Sequence, residues 1–347
     1  MEAVRQWYGR RMDAWEMFLA TRSTDRVVRP FDWGDEWTRD WPVQSDLAEP
    51  EARILDINRK VLEDSHRFFD YRPPTDFRLF NSWLQFTSPV ETRHSLNNTV
   101  HAKFFPAKER WKRGRKAVVV LPHWNAHVGQ HIGLCEGIAA FGISALRLSL
   151  PYHDHRMPPE LHRADFAVSA NIARTIDATR QAVIDLRACL DWLEKEGYED
   201  LGVVGTSLGS CYAFLASAHD PRLRTNVFNH CSTTFGDVVW TGLSTKHIRA
   251  GIEDQISLDR LRAVWDCVSP AHYIDRFAGM GKKSFFLYTT YDTTFRPEFS
   301  KAIVDRIRQS GANHKLVVLP CGHYTLGESP FKFIVGYHII NFLKRNL

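Results

Sequence analysis

The spacing of apolar positions changes near residue 81, and that change divides the chain. Ahead of it, Trp7, Met12, Trp15 and Leu19 fall near helical spacing, which predicts a helix from Glu2 to Leu19. The rest of residues 1–80 shows no alternation of strands and helices and is crowded with charges and aromatics, among them Trp33, Trp37, Trp41, Phe68, Phe69 and Tyr71. Aromatic side chains bury large areas wherever they lie, so we read this part as an extension packed on the main domain. The alternative is that it lines a substrate site.

From residue 81 the texture is that of strands. Trp83 to Pro89 and Thr99 to Phe105 read as an antiparallel pair. The apolar run within Arg115 to Leu121, stopped by Pro122, reads as a strand buried on both faces. A helix over Val128 to Phe141, a strand over Ile143 to Leu150 and a long amphipathic helix from about Ile172 to Lys195 follow, the last stopped by Gly197. The alternation continues with strand Leu201 to Val204, helix Leu208 to His219 and strand Thr225 to Phe228. It resumes with strand Ser284 to Thr289, helix Pro297 to Gln309, strand Lys315 to Leu319 and a closing helix from about Phe331 to Leu343.

Strands separated by helices of this length need crossover connections, so the expected fold is α/β, a mostly parallel central sheet flanked by helices. We expect the main domain to span 81–347. Within it, residues 231–283 break the rhythm with short helical fragments and read as a small inserted helical cap over the carboxyl edge of the sheet, where ligands bind in such folds.

Composition narrows the function. The content is 44% hydrophobic and 24% charged, ordinary for a globular chain. The net charge of +5 is small and dispersed, so no nucleic-acid partner is expected. The densest basic stretch, Lys108 to Lys116, reads as a solvated turn. Six cysteines are scattered without a C-x-x-C pair, and neither a signal peptide nor a membrane-spanning run is evident. These features point to a cytoplasmic setting.

The chemistry concentrates at Gly205-Thr206-Ser207-Leu208-Gly209, a G-x-S-x-G placed between a predicted strand and a predicted helix. In that context the serine sits on a strained turn at a helix N-terminus, where positive dipole and free N–H groups favour developing negative charge. A serine needs a base, and His323 lies in the loop after the last strand, which a parallel sheet brings to the edge holding Ser207. A carboxylate should orient that imidazole. Asp292 follows a strand at the same edge, whereas its competitor Asp275 precedes one. An oxyanion needs two donors, for which we take the Leu208 amide and the Trp124 amide in the loop Pro122-His123-Trp124-Asn125, with Asn125 as fallback.

These motifs resemble the α/β-hydrolase superfamily, in its branch of serine esterases and dienelactone-hydrolase-like proteins. The resemblance rests on the Ser207 turn, the Val120 to Trp124 strand and loop, Asp292 and Gly322-His323, and covers the chain from about residue 81. It implies hydrolysis of small-molecule carboxylic esters without a cofactor. Where many members have His-Gly in the oxyanion loop, this chain has His123-Trp124. An amidase or peptidase with the same triad is the rival within enzymes, and a non-catalytic binding protein of this fold the rival outside them.

Further candidates for substrate contact are His123, Asn125, Tyr152, His153, Tyr324 and the cap tryptophans Trp240 and Trp265. His123, His127 and His131 fall at i, i+4 and i+8, which hints at a metal site on one helix, but no complete ligand set accompanies them and none is expected.

Overall fold

The computed structural model describes residues 2–23, 25–108 and 115–347, so most of the basic stretch Lys108 to Lys116 lies outside the described residues. Nine strands form one sheet: β1 (Arg78–Phe80), β2 (Trp83–Thr87), β3 (Thr99–Phe105), β4 (Lys116–Leu121), β5 (Ser144–Leu148), β6 (Asp200–Thr206), β7 (Leu223–Asn229), β8 (Lys283–Thr289) and β9 (His314–Leu319). Their spatial order is β1-β2-β3-β5-β4-β6-β7-β8-β9. The first three strands run antiparallel, with Trp83 opposite Lys103, and every pairing from β5 to β9 is parallel.

The N-terminal part supplies helices α1 (Glu2–Ala20), α2 (Pro50–Glu63) and α3 (Ser65–Phe69). Between the strands come α4 (Ile132–Ala140), α5 (Ile172–Lys195) and α6 (Leu208–His219). After β7 stand α7 (Phe235–Thr241), α8 (Lys246–Ile252), α9 (Leu258–Val264) and α10 (Ile274–Gly279). The chain closes with α11 (Pro297–Gln309) and α12 (Phe331–Asn346). No described helix is long and apolar enough to cross a membrane.

Strand β4 shows why the central strands read as unbroken apolar runs. Ala117, Val119 and Leu121 join the core that holds the buried face of α5 and α6, while Val118 and Val120 point to the opposite core with residues of α1, α4 and α12. Alternation puts successive side chains on opposite faces, and helices cover both. Each fully buried Val or Leu contributes on the order of 1.5–3 kcal/mol.

The extension joins the larger of these cores. Trp41, Ile54, Ile57, Val61, Phe68 and Phe69 are buried in it, and the Trp41 indole donates to Asp177 of α5 at 2.7 Å. Asn58 of α2 ties this part to the helices after β7, donating to the Val264 carbonyl and accepting from the Cys267 amide. Trp7, by contrast, is exposed. All six cysteines are free and buried.

Helices α2 and α3 were not assigned in the sequence reading, and two further elements differ from it. Strand β1 was not expected, because Arg78, Leu79 and Phe80 are all exposed on the sheet edge and carry no alternation. Helix α4 begins at Ile132 rather than Val128. The Arg147 guanidinium takes the carbonyls of His127 and Gln130 at 2.8 and 2.7 Å, which draws those peptides out of helical pairing, and His131 at φ 65° starts the helix only after them. His123, His127 and His131 therefore do not share a helix face, although the rings of His123 and His131 stand 5.1 Å apart.

Candidate active site

The parallel strands bring their carboxyl ends to one edge, and the loops there carry His123 and Trp124 after β4, Ser207 after β6, His230 after β7, Asp292 after β8 and His323 after β9. Ser207 has φ 56° and ψ −121°, a conformation that costs a non-glycine residue on the order of 1–3 kcal/mol and needs a rigid surround. That surround is built from near contact. A Cβ at Gly205 would lie 2.5 Å from the Gly209 carbonyl oxygen, and one at Gly209 would lie 2.5 Å from the carbonyl oxygens of Leu121 and Pro122. The Ser207 amide donates to the Asn229 carbonyl at 2.7 Å, fixing the turn to β7.

His323 Nδ1 donates to Asp292 Oδ2 at 3.0 Å, which leaves Nε2, across the ring, as the nitrogen able to take a proton. The other carboxylate oxygen, Oδ1, accepts the amides of Thr294 and Phe295 at 2.7 and 2.6 Å, so Asp292 is held from both sides. The Phe295 ring stacks on the imidazole of His323, 5.6 Å between centroids and 4° from parallel. Asp275 is exposed in the first turn of α10.

A second imidazole shares the carboxylate. His230 Nδ1 lies 2.8 Å from Asp292 Oδ2, and the two histidine rings are 4.8 Å apart. The sequence reading missed His230 because it ended the strand at Phe228. The signal was its place, immediately beyond a parallel strand at this edge. Burial opposes ionisation of Asp292, yet the neighbouring His323 and His230 hold its carboxyl well below the usual carboxylate range. Burial lowers the basicity of both imidazoles. For His230 burial wins, whereas for His323 the charge and hydrogen bond of Asp292, with the charge of Glu16, raise the pKa above the ordinary 6.5.

The ligand-type atoms of His230, Asp292 and His323 all lie within 4.8 Å of one another. The shared oxygen stands 2.8 and 3.0 Å from the two ring nitrogens, and of the two contacts only that with His323 has hydrogen-bond geometry. Ligands held at roughly 2 Å from a tetrahedral zinc stand farther from one another than this, so the cluster fits a compact charge group better than a metal centre.

Ser207, Leu208, His230, His323, Tyr324, His123, Trp124 and Asn125 all line one cavity of about 1190 Å³. Ser207 and His323 face it without a direct side-chain hydrogen bond among the described residues, a contact that tightens with substrate in many hydrolases. The Leu208 amide opens α6 and so has no acceptor in its own helix. The Asn125 amide donates to His153 Nε2 at 2.9 Å, whereas the Trp124 amide has no acceptor among the described residues. The Trp124 indole donates to the Ala164 carbonyl at 2.9 Å, and Asn125 Oδ1 accepts the Ala164 amide at 2.7 Å.

Four other sequence candidates lie outside the cavity lining. Tyr152 and His153 are fully buried, and His153 is a brace for the Trp124 loop, with Nδ1 on the Pro151 carbonyl and its pKa pushed down to about 4 by burial. Trp240 is half-buried beneath the Arg249 guanidinium. Trp265 is fully buried, donating to the Ile172 carbonyl at 3.1 Å.

A serine on a strained elbow at the head of α6, facing a cavity with a carboxylate-paired imidazole, is an arrangement for nucleophilic attack. The family model for alpha/beta hydrolase domain containing 18 matches residues 100–276. The chain belongs to this alpha/beta hydrolase family. The matched residues include the Trp124 loop and Ser207, while Asp292 and His323 lie beyond them.

Solved structures of the superfamily share its fold. An acetyl xylan esterase from Paenibacillus sp. R4 is similar with a TM-score of 0.60 at 13% identity, covering 90% of this chain and 99% of that one. Est1E from Butyrivibrio proteoclasticus, solved with ferulic acid bound, is similar with a TM-score of 0.53 at 16% identity, covering 72% and 95%. The Pyrococcus horikoshii acylaminoacyl peptidase gives a TM-score of 0.58 at 11% identity over 79% of this chain, which spans 42% of that peptidase. No curated protein sequence matches the chain.

Proposed function

We propose that this hydrolase-family chain cleaves carboxylic esters through an acyl-enzyme. Ser207 Oγ adds to the ester carbonyl while His323 Nε2 takes its proton. The tetrahedral oxyanion is held by the amides of Leu208 and Trp124. Collapse breaks the bond to the alcohol oxygen, which leaves with the proton from His323. A water molecule then adds to the acyl carbon, giving its proton to His323, and the carboxylic acid departs as Ser207 is reprotonated. Asp292 keeps the imidazole in the tautomer with the proton on Nδ1 and stabilises the imidazolium.

The observation that carries this reading is the joint one: an Asp292-paired His323 and a Ser207 in positive-φ geometry line the same cavity. The cavity wall includes Phe235, Val238, Val239, Leu326, Ile339 and Ile340, which favours esters with a sizeable apolar part.

The test is covalent labelling by a fluorophosphonate probe, combined with turnover of aryl esters of increasing chain length. Wild type is expected to label at Ser207 and to hydrolyse the esters, and Ser207→Ala to lose labelling and most turnover while keeping its fold. Wild type that neither labels nor turns over any ester defeats the proposal. Faster cleavage of matched anilides than of esters converts it to an amidase.

A further inference from the structure

One carboxylate beside the site comes from outside the sheet. Glu16, in α1, is fully buried, and the described residues place no Lys or Arg against it. Its Oε1 accepts the Thr325 amide at 2.6 Å, and its Oε2 accepts the Tyr324 amide at 3.1 Å and the Thr293 hydroxyl at 3.4 Å. Tyr324 and Thr325 directly follow His323, and Thr293 directly follows Asp292. A single side chain thus bridges the two loops that present the paired carboxylate and imidazole.

The fit is close on the far side as well. A Cβ at Gly322 would lie 2.1 Å from Glu16 Cδ, so the residue before His323 has given its side-chain space to this carboxylate. The rest of α1 follows the same two loops. The Tyr8 hydroxyl donates to the Pro320 carbonyl at 2.5 Å, and its ring meets Tyr291 edge-on. Past the helix, Arg26 reaches the Tyr324 hydroxyl at 3.3 Å.

Burying a carboxylate without a cation is costly, and an apolar side chain would fill the same place at less expense. What Glu16 provides is three donors drawn to one point. Loosening a supporting contact by an ångström is enough to slow a catalysed step by roughly 100-fold.

We infer that Glu16 is a positioning residue for His323, clamping the base loop to the acid loop from the N-terminal helix. This rests on the serine-hydrolase reading for its effect on turnover, but not for its effect on His323 itself. The groups facing His323 are Asp292 after β8, His230 after β7, His123 after β4, its neighbour Tyr324, and Glu16 from α1, with Arg26 behind Tyr324. Of these groups, Asp292 and Glu16 are the two that raise the pKa of His323.

The experiment is Glu16→Gln in the full chain, which keeps the volume and one acceptor but removes the charge. Two readouts are needed. With an aryl ester, kcat is expected to fall roughly 10- to 100-fold with KM within about twofold of wild type. By NMR titration, the His323 midpoint is expected to move to lower pH, and Glu16→Asp, which restores the charge, is expected to bring it back toward wild type. An unmoved midpoint together with wild-type kcat in folded E16Q overturns the clamp. The titration reads the coupling of Glu16 to His323 even in a protein that hydrolyses nothing, so failure of this inference and failure of the proposed activity are separable. Should E16Q not fold, Thr293→Val removes one donor and leaves Glu16 in place. Lower kcat at unchanged KM then supports the clamp, and wild-type kinetics overturns it.

Discussion

At the scale of single residues, His323 is held between opposed influences. Burial works against its charged form, while Asp292 and Glu16 favour it and prevail, raising the pKa above 6.5. A base must be neutral to accept the Ser207 proton, so kcat/KM is expected to rise with pH along a limb centred above 6.5. A limb centred below 6.5 would show that the carboxylates do not govern it. Stability responds in the opposite sense. A histidine whose folded pKa exceeds its unfolded value stabilises the fold fully below the unfolded pKa, and that contribution is lost as pH climbs through the folded pKa. His323 therefore gives its stabilisation at and below pH 6.5 and yields it where its activity appears. For His230 burial outweighs the pull of Asp292 and moves the pKa down instead.

At the scale of elements, the elbow between β6 and α6 is the part most open to prediction. Gly209→Ala would press a methyl group onto two backbone carbonyl oxygens of the β4 loop, 2.5 Å away, with no flexible side chain to yield. The variant is expected to lose roughly 1–3 kcal/mol of stability and to displace the Trp124 amide. A urea melt and the rate of fluorophosphonate labelling check both, and an unchanged melt with unchanged labelling refutes the close-packing account. This element was legible in the sequence because glycine spacing, a strand before it and a helix after it all agree. Helix α4 was less so. Its apolar periodicity extends over Val128, but a buried arginine from β5 claims the peptides that would have formed its first turn. Local pattern carries no trace of a partner about 20 residues away.

Across the whole molecule, buried ion pairs tie segments that the alternation of strands and helices does not relate. Arg156, in the stretch after β5, meets Asp185 of α5 at 2.8 Å with both side chains fully buried, and Asp185 also accepts the Ser88 hydroxyl at 2.7 Å. Removing one partner strands the other charge, so Asp185→Ala is expected to cost about 3–5 kcal/mol in urea unfolding. A loss under about 1 kcal/mol would mean that Arg156 finds water or another acceptor. That the loops after the parallel strands gather at one edge was readable from the alternation of strands and helices, whereas the strand order was not, since β5 lies between β3 and β4. Nor was the extension. Its aromatics announced burial, but the one side chain of α1 that reaches the base loop is an acid in an otherwise ordinary amphipathic helix, and nothing in its spacing points to residues about 300 positions away.

That distance bears on how the molecule is born. Glu16 and Thr325 are 309 residues apart, so on the ribosome the helix emerges long before its docking loop. Until that loop is made, a nascent chain carries its serine elbow without the clasp that ties the two loops together. Elbow first and clasp afterwards is thus an order of assembly written into the distance between Glu16 and Thr325.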